Sequence, residues 1–62
     1  MNERIYEIRG QGGVLLGVYK APSKEAAIQM CCVEAGYPNR EAAEAQRFAD
    51  FERCDIVDVA IN

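Results

Sequence analysis

Apolar positions along the chain recur every second residue, then at helical spacing, then every second residue again, and this succession predicts its elements. Arg4-Ile-Tyr-Glu-Ile-Arg9 is short, rich in strand formers and partly alternating. Tyr6 and Ile8 point one way; Ile5, Glu7 and Arg9 point the other. Gly10-Gln-Gly-Gly13 reads as a tight hairpin turn rather than a phosphate loop, because no helix follows it and no GK[ST] ending closes it. The returning strand, Val14 to Lys20, is apolar on both sides: Val14, Leu16 and Val18 share one face, Leu15, Gly17 and Tyr19 the other. Ala21-Pro22 ends it.

The period then changes. Ser23 can accept a hydrogen bond from the free N–H groups of a first helical turn, and Gly36 can end that helix, with Pro38 just beyond. At roughly 100° per residue, Ile28, Cys31, Cys32 and Ala35 line one side of the helix. Ala26, Met30 and Val33 line nearly the opposite side, leaving Glu25, Gln29 and Glu34 wet. Two stripes predict a helix that lies on a sheet while a second helix, or a partner, covers its back. Asn39 is a good N-cap for a second helix from Arg40 to about Glu52, with Ala45, Phe48 and Ala49 as its stripe, Phe48 as its anchor and Phe51 at its flank. Tyr37 reads as packing on the end of the first helix. Cys54 to Ile61 returns to strand chemistry: Val57, Val59 and Ile61 point one way, Ile56, Asp58 and Ala60 the other.

The order β-β-α-α-β predicts a two-layer α+β fold in one domain, residues 1–62. A right-handed return through the helices puts the last strand beside the first, giving an all-antiparallel, three-stranded sheet of order 2-1-3 with both helices on one face. The uncovered face is then expected to carry Ile5, Leu15, Tyr19 and Ile56 among Glu7, Arg9 and Asp58. Two readings stay open: isolated apolar residues that are common on any surface and carry no meaning, or a partner or dimer surface, which a contiguous exposed apolar patch usually marks.

Composition narrows the chemistry. Cys31, Cys32 and Cys54 are odd in number, and two are adjacent on a helix, so they read as small core hydrophobes rather than a disulfide framework. With no His, a metal site is hard to build, since only Cys31, Cys32 and Cys54 could supply soft ligands, and a Cys nucleophile would lack its base; no cofactor is expected. Paired carboxylates such as Glu41 with Glu44 or Asp55 with Asp58 read as a solvated surface, and a chain this short cannot enclose a substrate cleft. We therefore expect no enzyme. Residues 1–40 hold four acids and five bases, whereas residues 41–62 hold six acids (Glu41, Glu44, Asp50, Glu52, Asp55 and Asp58) and two bases. The net charge of −3 disfavours direct nucleic-acid binding, while the acidic half suits the basic surface of a host protein. No apolar run approaches a membrane span, and strand-like sequence begins almost at once, so a cytoplasmic protein is expected, either monomer or homodimer.

At Tyr6-Glu7-Ile8, Leu16-Gly17-Val18-Tyr19-Lys20-Ala21, Ser23-Lys24-Glu25-Ala26 and Ala35-Gly36-Tyr37 the chain resembles small α+β proteins encoded by bacteria and their phages. Their layout is a hairpin ending G-x-Y-x-A, then a helix opening S-x-E-A and closing A-G-Y. By size and acidity it also resembles phage-encoded inhibitors, anti-CRISPR proteins in particular. That resemblance implies a compact protein that occludes a nucleic-acid-binding surface of a CRISPR effector, with Glu41 to Asp58 imitating a phosphate backbone. The competing expectation is a self-associating accessory or structural protein whose sheet face is a dimer interface.

Overall fold

Strand β1 (Arg4–Arg9) pairs antiparallel with β2 (Leu15–Ala21) as the expected hairpin, joined by a 3-10 turn at Gln11–Gly13. These elements belong to a computed structural model that describes residues 3–59. Helix α1 (Lys24–Glu34) and the short helix α2 (Arg40–Ala45) follow, and β3 (Asp55–Asp58) returns antiparallel to the other side of β1. The sheet order is β2-β1-β3 and the fold is α+β, as the pattern predicted. The expected continuation of the last strand through Ala60 and Ile61 lies outside the described residues.

The helix starts follow the sequence closely. Ser23 Oγ accepts the Ala26 N–H at 3.1 Å, and Asn39 Oδ1 accepts the Ala42 N–H at 2.8 Å. Each bond satisfies one N–H that the first turn would otherwise leave unpaired. The helix ends are alike in geometry but not in sequence. After α1, Gly36 sits at φ 101°; its N–H donates to Val33 O, and the Tyr37 N–H donates to Cys32 O. After α2 the same pair of bonds recurs, Arg47 N–H to Glu44 O and Phe48 N–H to Ala43 O, with Arg47 at φ 61°. Such closures ordinarily use glycine, because a Cβ in the left-handed region costs about 1–2 kcal/mol.

The non-glycine closure shortens α2 well before the expected Glu52. Ala45 consequently lies exposed instead of on a core stripe. The chain doubles back, so that Phe51 becomes the buried anchor at 3 % exposure, and Phe48 is only half-buried. Tyr37, Phe48 and Phe51 form a chain of tilted rings with centroids 5.4 Å and 6.2 Å apart. We expect Arg47→Gly to raise stability by roughly 0.5–1 kcal/mol, since relief of the left-handed Cβ outweighs the extra freedom glycine gives the unfolded chain. Urea titration measures this, and a lower midpoint would contradict the closure described.

Arg40 binds the two helices together. Its Nη1 donates to Glu25 on α1 at 2.9 Å, its Nε to Glu44 on α2 at 3.1 Å, and its guanidinium lies 5.8 Å from the centre of the Phe51 ring. Beneath this clamp Tyr6, Ile8, Tyr19 and Ala21 from the sheet meet Ala27, Ile28, Cys31 and Cys32 from α1, with Ala43 and Phe51 closing the core. The back of α1 is not covered by α2. Met30 and Val33, expected to be sandwiched, remain exposed.

Candidate functional site

The outward face of the sheet follows from strand register. Lys20 pairs with Ile5, and Ile5 O accepts the Val59 N–H at 2.8 Å; Val18 pairs with Glu7, and Glu7 with Val57; Leu15 pairs with Arg9, and Arg9 with Asp55. Residues opposite one another across an antiparallel pair share a face. The face is therefore a patch of three rows: Lys20-Ile5-Val59, Val18-Glu7-Val57 and Leu15-Arg9-Asp55. Its apolar members Ile5, Leu15, Val18, Val57 and Val59 are each 37–50 % exposed. Arg9 Nε donates to Glu7 Oε1 at 2.8 Å, and Arg9 Nη1 donates to Gly13 O at 2.9 Å, which ties the middle of the face to the hairpin turn.

Of the four apolar residues expected here, Ile5 and Leu15 are in place and two are not. Tyr19 faces the helices, 8 % exposed and directly opposite Tyr6. The cause is an irregularity in β2: Ile8 pairs with Gly17 but Arg9 pairs with Leu15, leaving Leu16 unopposed. One extra residue reverses the alternation beyond it, so Leu15 and Val18, three apart, both point outward. Val18, expected on the covered side, is thereby exposed, while Leu16 packs partly on the core. Ile56 is also on the covered side, because it pairs with Ile8. That register turns the whole of β3 over, moving Val57 and Val59 outward and Asp58 inward. Asp58 is accommodated at the exposed sheet edge, where Arg4 Nε donates to its Oδ2 at 2.7 Å.

Tyr19 is held where it lies. Its ring folds over Gly17, and its hydroxyl donates to Glu34 Oε1 at 2.7 Å. Burial first, and then the bond to the Glu34 carboxylate, push the phenol well above its ordinary range. A neutral, donating Tyr19 is a structural hydroxyl.

The six carboxylates of the acidic half do not form one face. Glu44 is bonded to Arg40 and also accepts the Phe51 N–H at 3.4 Å; Asp50 lies 3.5 Å from Arg53 and accepts the Glu52 N–H at 3.3 Å. Asp58 is held by Arg4 at the sheet edge, and Asp55 belongs to the outward face beside Arg9. Among the described residues the carboxylates of Glu41, Glu52 and Asp55 make no ion pair. Glu44, Asp50 and Glu52 border an open hollow of about 650 Å³, together with Gln11, Arg47 and Ala49. Arg47 interrupts the negative lining.

Cys31 and Cys32 are buried, and the half-buried Cys54 donates its S–H to Asp50 O at 3.4 Å. Burial raises all three thiols above their ordinary value of 9.0. Native protein should react with a thiol reagent at Cys54 first, with Cys31 and Cys32 protected until unfolding; rapid labelling of all three would contradict this core. The sign of the pH effect follows. The native state holds these protons more tightly than the unfolded chain, so stability is fully present below pH 9 and declines as pH rises beyond it. Among the described residues no group of three or more His, Cys, Asp or Glu is placed to hold a metal, and no helix is long and apolar enough to cross a membrane.

Comparison of the chain with protein-family models, with curated proteins and with solved structures gave no match.

Proposed function

We propose that this protein is a small, non-enzymatic binding protein that works by covering a basic surface of another protein, the mode of action of the phage-encoded, anti-CRISPR-like inhibitors it resembles. The observation that carries the reading is the outward sheet face, with five half-exposed aliphatic side chains contiguous across three strands. Isolated apolar residues on a surface mean little, but a contiguous patch is the usual mark of a docking site. The acidic half has a different part. Glu41, Glu52 and Asp55, unpaired among the described residues, steer a basic partner toward the domain, which acts on the association rate more than on the strength of the final contact. A nucleic-acid-binding channel of a CRISPR effector is the kind of basic surface this resemblance implies, and blocking it requires no catalytic group.

The experiment is paired affinity capture from bacterial lysate with three baits: wild type, Val18→Asp/Val57→Asp, and Glu41→Lys/Glu52→Lys. The expected result is a retained protein that the face variant loses at every salt concentration. The charge-reversal bait should retain it at high salt and recover it more slowly at low salt. Capture unaffected by the face variant but abolished by charge reversal would move the contact to the acidic half.

A further inference from the structure

Two unpartnered features of the fold lie on the same side of the molecule. We propose that this side, the free edge of β2 with the flank of α1 above it, takes a second copy of this chain and extends the sheet to six strands. Val59 N–H donates to Ile5 O, so the main-chain groups of Ile5 point toward β3. Their direction alternates along a strand, so Tyr6 and Ile8 bond across to Tyr19 and Gly17 on β2. Val18 and Lys20 therefore turn their N–H and C=O groups away from β1, toward the outer edge of the sheet, where no described strand meets them. Such a row of unpaired groups is a template for another strand. Above it, α1 packs on both β2 and β1. One flank of α1 is taken up by α2, through Glu25 and Gln29, which bond to Arg40. The opposite flank lies on the β2 side, where Glu34 accepts the Tyr19 hydroxyl. Met30 and Val33 adjoin Glu34 there, exposed, along an open hollow of about 380 Å³.

A second copy fits both features at once. A two-fold axis beside Tyr19 pairs Val18 with Lys20 of the other copy, and Lys20 with its Val18, through four main-chain hydrogen bonds. These residues lie beyond the irregularity at Leu16, so the edge they offer is regular, and no like charges fall opposite one another. The helix layer closes on the same terms. A helix seated between β1 and β2 stands half a strand spacing inside the edge. Across the seam the two helix axes are then two strand spacings apart, about 9.6 Å. Packed helices stand about 8–10 Å apart. Because α1 runs back along β2 from Ser23, the axis crosses it near its middle and sets its start against the end of its copy. Lys24, which no described carboxylate engages, comes beside Glu34 of the other copy. The small Ala26 leaves room for Met30 and Val33 of the other copy.

A lone strand from another protein meets only half of these requirements. It can bond to Val18 and Lys20, but it brings no second layer to cover Met30 and Val33. The copy brings both layers at matching heights, with opposite charges at the helix ends. Pairing at this edge leaves the outward face open and sets the two copies' faces side by side, so the inference goes beyond the binding reading above without depending on it.

Light scattering at concentrations up to about 1 mM tests this on wild type, Met30→Lys, Lys20→Pro and Val57→Asp. Wild type is expected to form a dimer. Met30→Lys places a charge in the helix seam, and Lys20→Pro removes an N–H that β1 does not use. Both should stay folded by circular dichroism and dimerise at least tenfold more weakly. Val57→Asp, on the outward face, should dimerise as wild type does. A wild type that is still monomeric at the highest concentration would overturn the proposal. So would a dimer that Val57→Asp dissociates and Met30→Lys does not, which would place the contact on the outward face. Hydrogen exchange on wild type reads the strand pairing without any substitution: the Val18 and Lys20 amides should exchange at least tenfold more slowly in the dimer than in dilute monomer. Equal exchange in the two would overturn the pairing, as would a monomer whose Val18 and Lys20 amides shift only when a valine-rich peptide is added, which would give the edge to a foreign strand.

Discussion

Phe51→Ala should cost roughly 3–5 kcal/mol, the range for emptying a buried aromatic site. Small domains have total stabilities near the lower end of about 5–15 kcal/mol, so the variant is expected to be largely unfolded at physiological temperature. The effect is large because Phe51 closes the core under several groups at once. It is 3 % exposed, packs in the ring chain with Phe48, lies under the Arg40 guanidinium, and its N–H is bonded to Glu44. Phe48→Ala should cost clearly less, since Phe48 is only half-buried. Circular dichroism melts of the two variants give the comparison. The reverse ranking would mean that the chain after Arg47 continues as helix, as its alanine-rich pattern suggests, and does not double back.

Gly17→Ala should be the second most damaging small change, at about 2–4 kcal/mol. A Cβ at residue 17 would overlap the ring and hydroxyl of Tyr19. The tyrosine would then have to leave the core, losing its burial and its bond to Glu34. Tyr19→Phe removes only the hydroxyl bond and should cost about 0.5–1.5 kcal/mol. The two positions are coupled, so adding Gly17→Ala to a Tyr19→Ala background should cost almost nothing further. Full additivity of the two changes would show that Tyr19 does not cover Gly17.

These two residues also show where the sequence can be read and where it cannot. Element order and both N-caps were legible because each rests on local chemistry: period, Ser23, Asn39 and Gly36; the strand order 2-1-3 followed from the handedness of the return through the helices. The faces of β2 and β3 were not. A strand whose two sides are both apolar carries no alternation to reveal its inner side, and the slip at Leu16 is set by pairing with β1 rather than by any signal in β2 itself. Alternation alone assigned Tyr19 outward. Gly17 beside Tyr19 was the available clue, since a glycine in mid-strand often marks close approach by another group. In β3 the valines look more buried than Ile56 with Asp58, yet the Ile8–Ile56 pair decides the register, and Arg4 accepts the aspartate at the edge. The early end of α2 escaped for a similar reason. Arg47 occupies a position where glycine is the recognisable signal.

For the candidate site, the existence of an apolar outer face was legible and its membership only half so. Ile5 and Leu15 follow from the hairpin's first residues, before the slip acts. Val18, Val57 and Val59 appear only once register is known. The acidic half was legible as composition, but composition does not show that Arg40, Arg53 and Arg4 take up Glu44, Asp50 and Asp58.

The central claim is that Ile5, Leu15, Val18, Val57 and Val59 form an open face while Ile8, Ile28 and Ile56 lie inside. Relaxation of methyl resonances by a soluble, uncharged paramagnetic complex measures this residue by residue. Strong enhancement at Ile5, Leu15, Val18, Val57 and Val59, with little at Ile8 and Ile28 and an intermediate value at Ile56, is the predicted result. Protected Val57 and Val18 methyls beside a strongly enhanced Ile56 would contradict it.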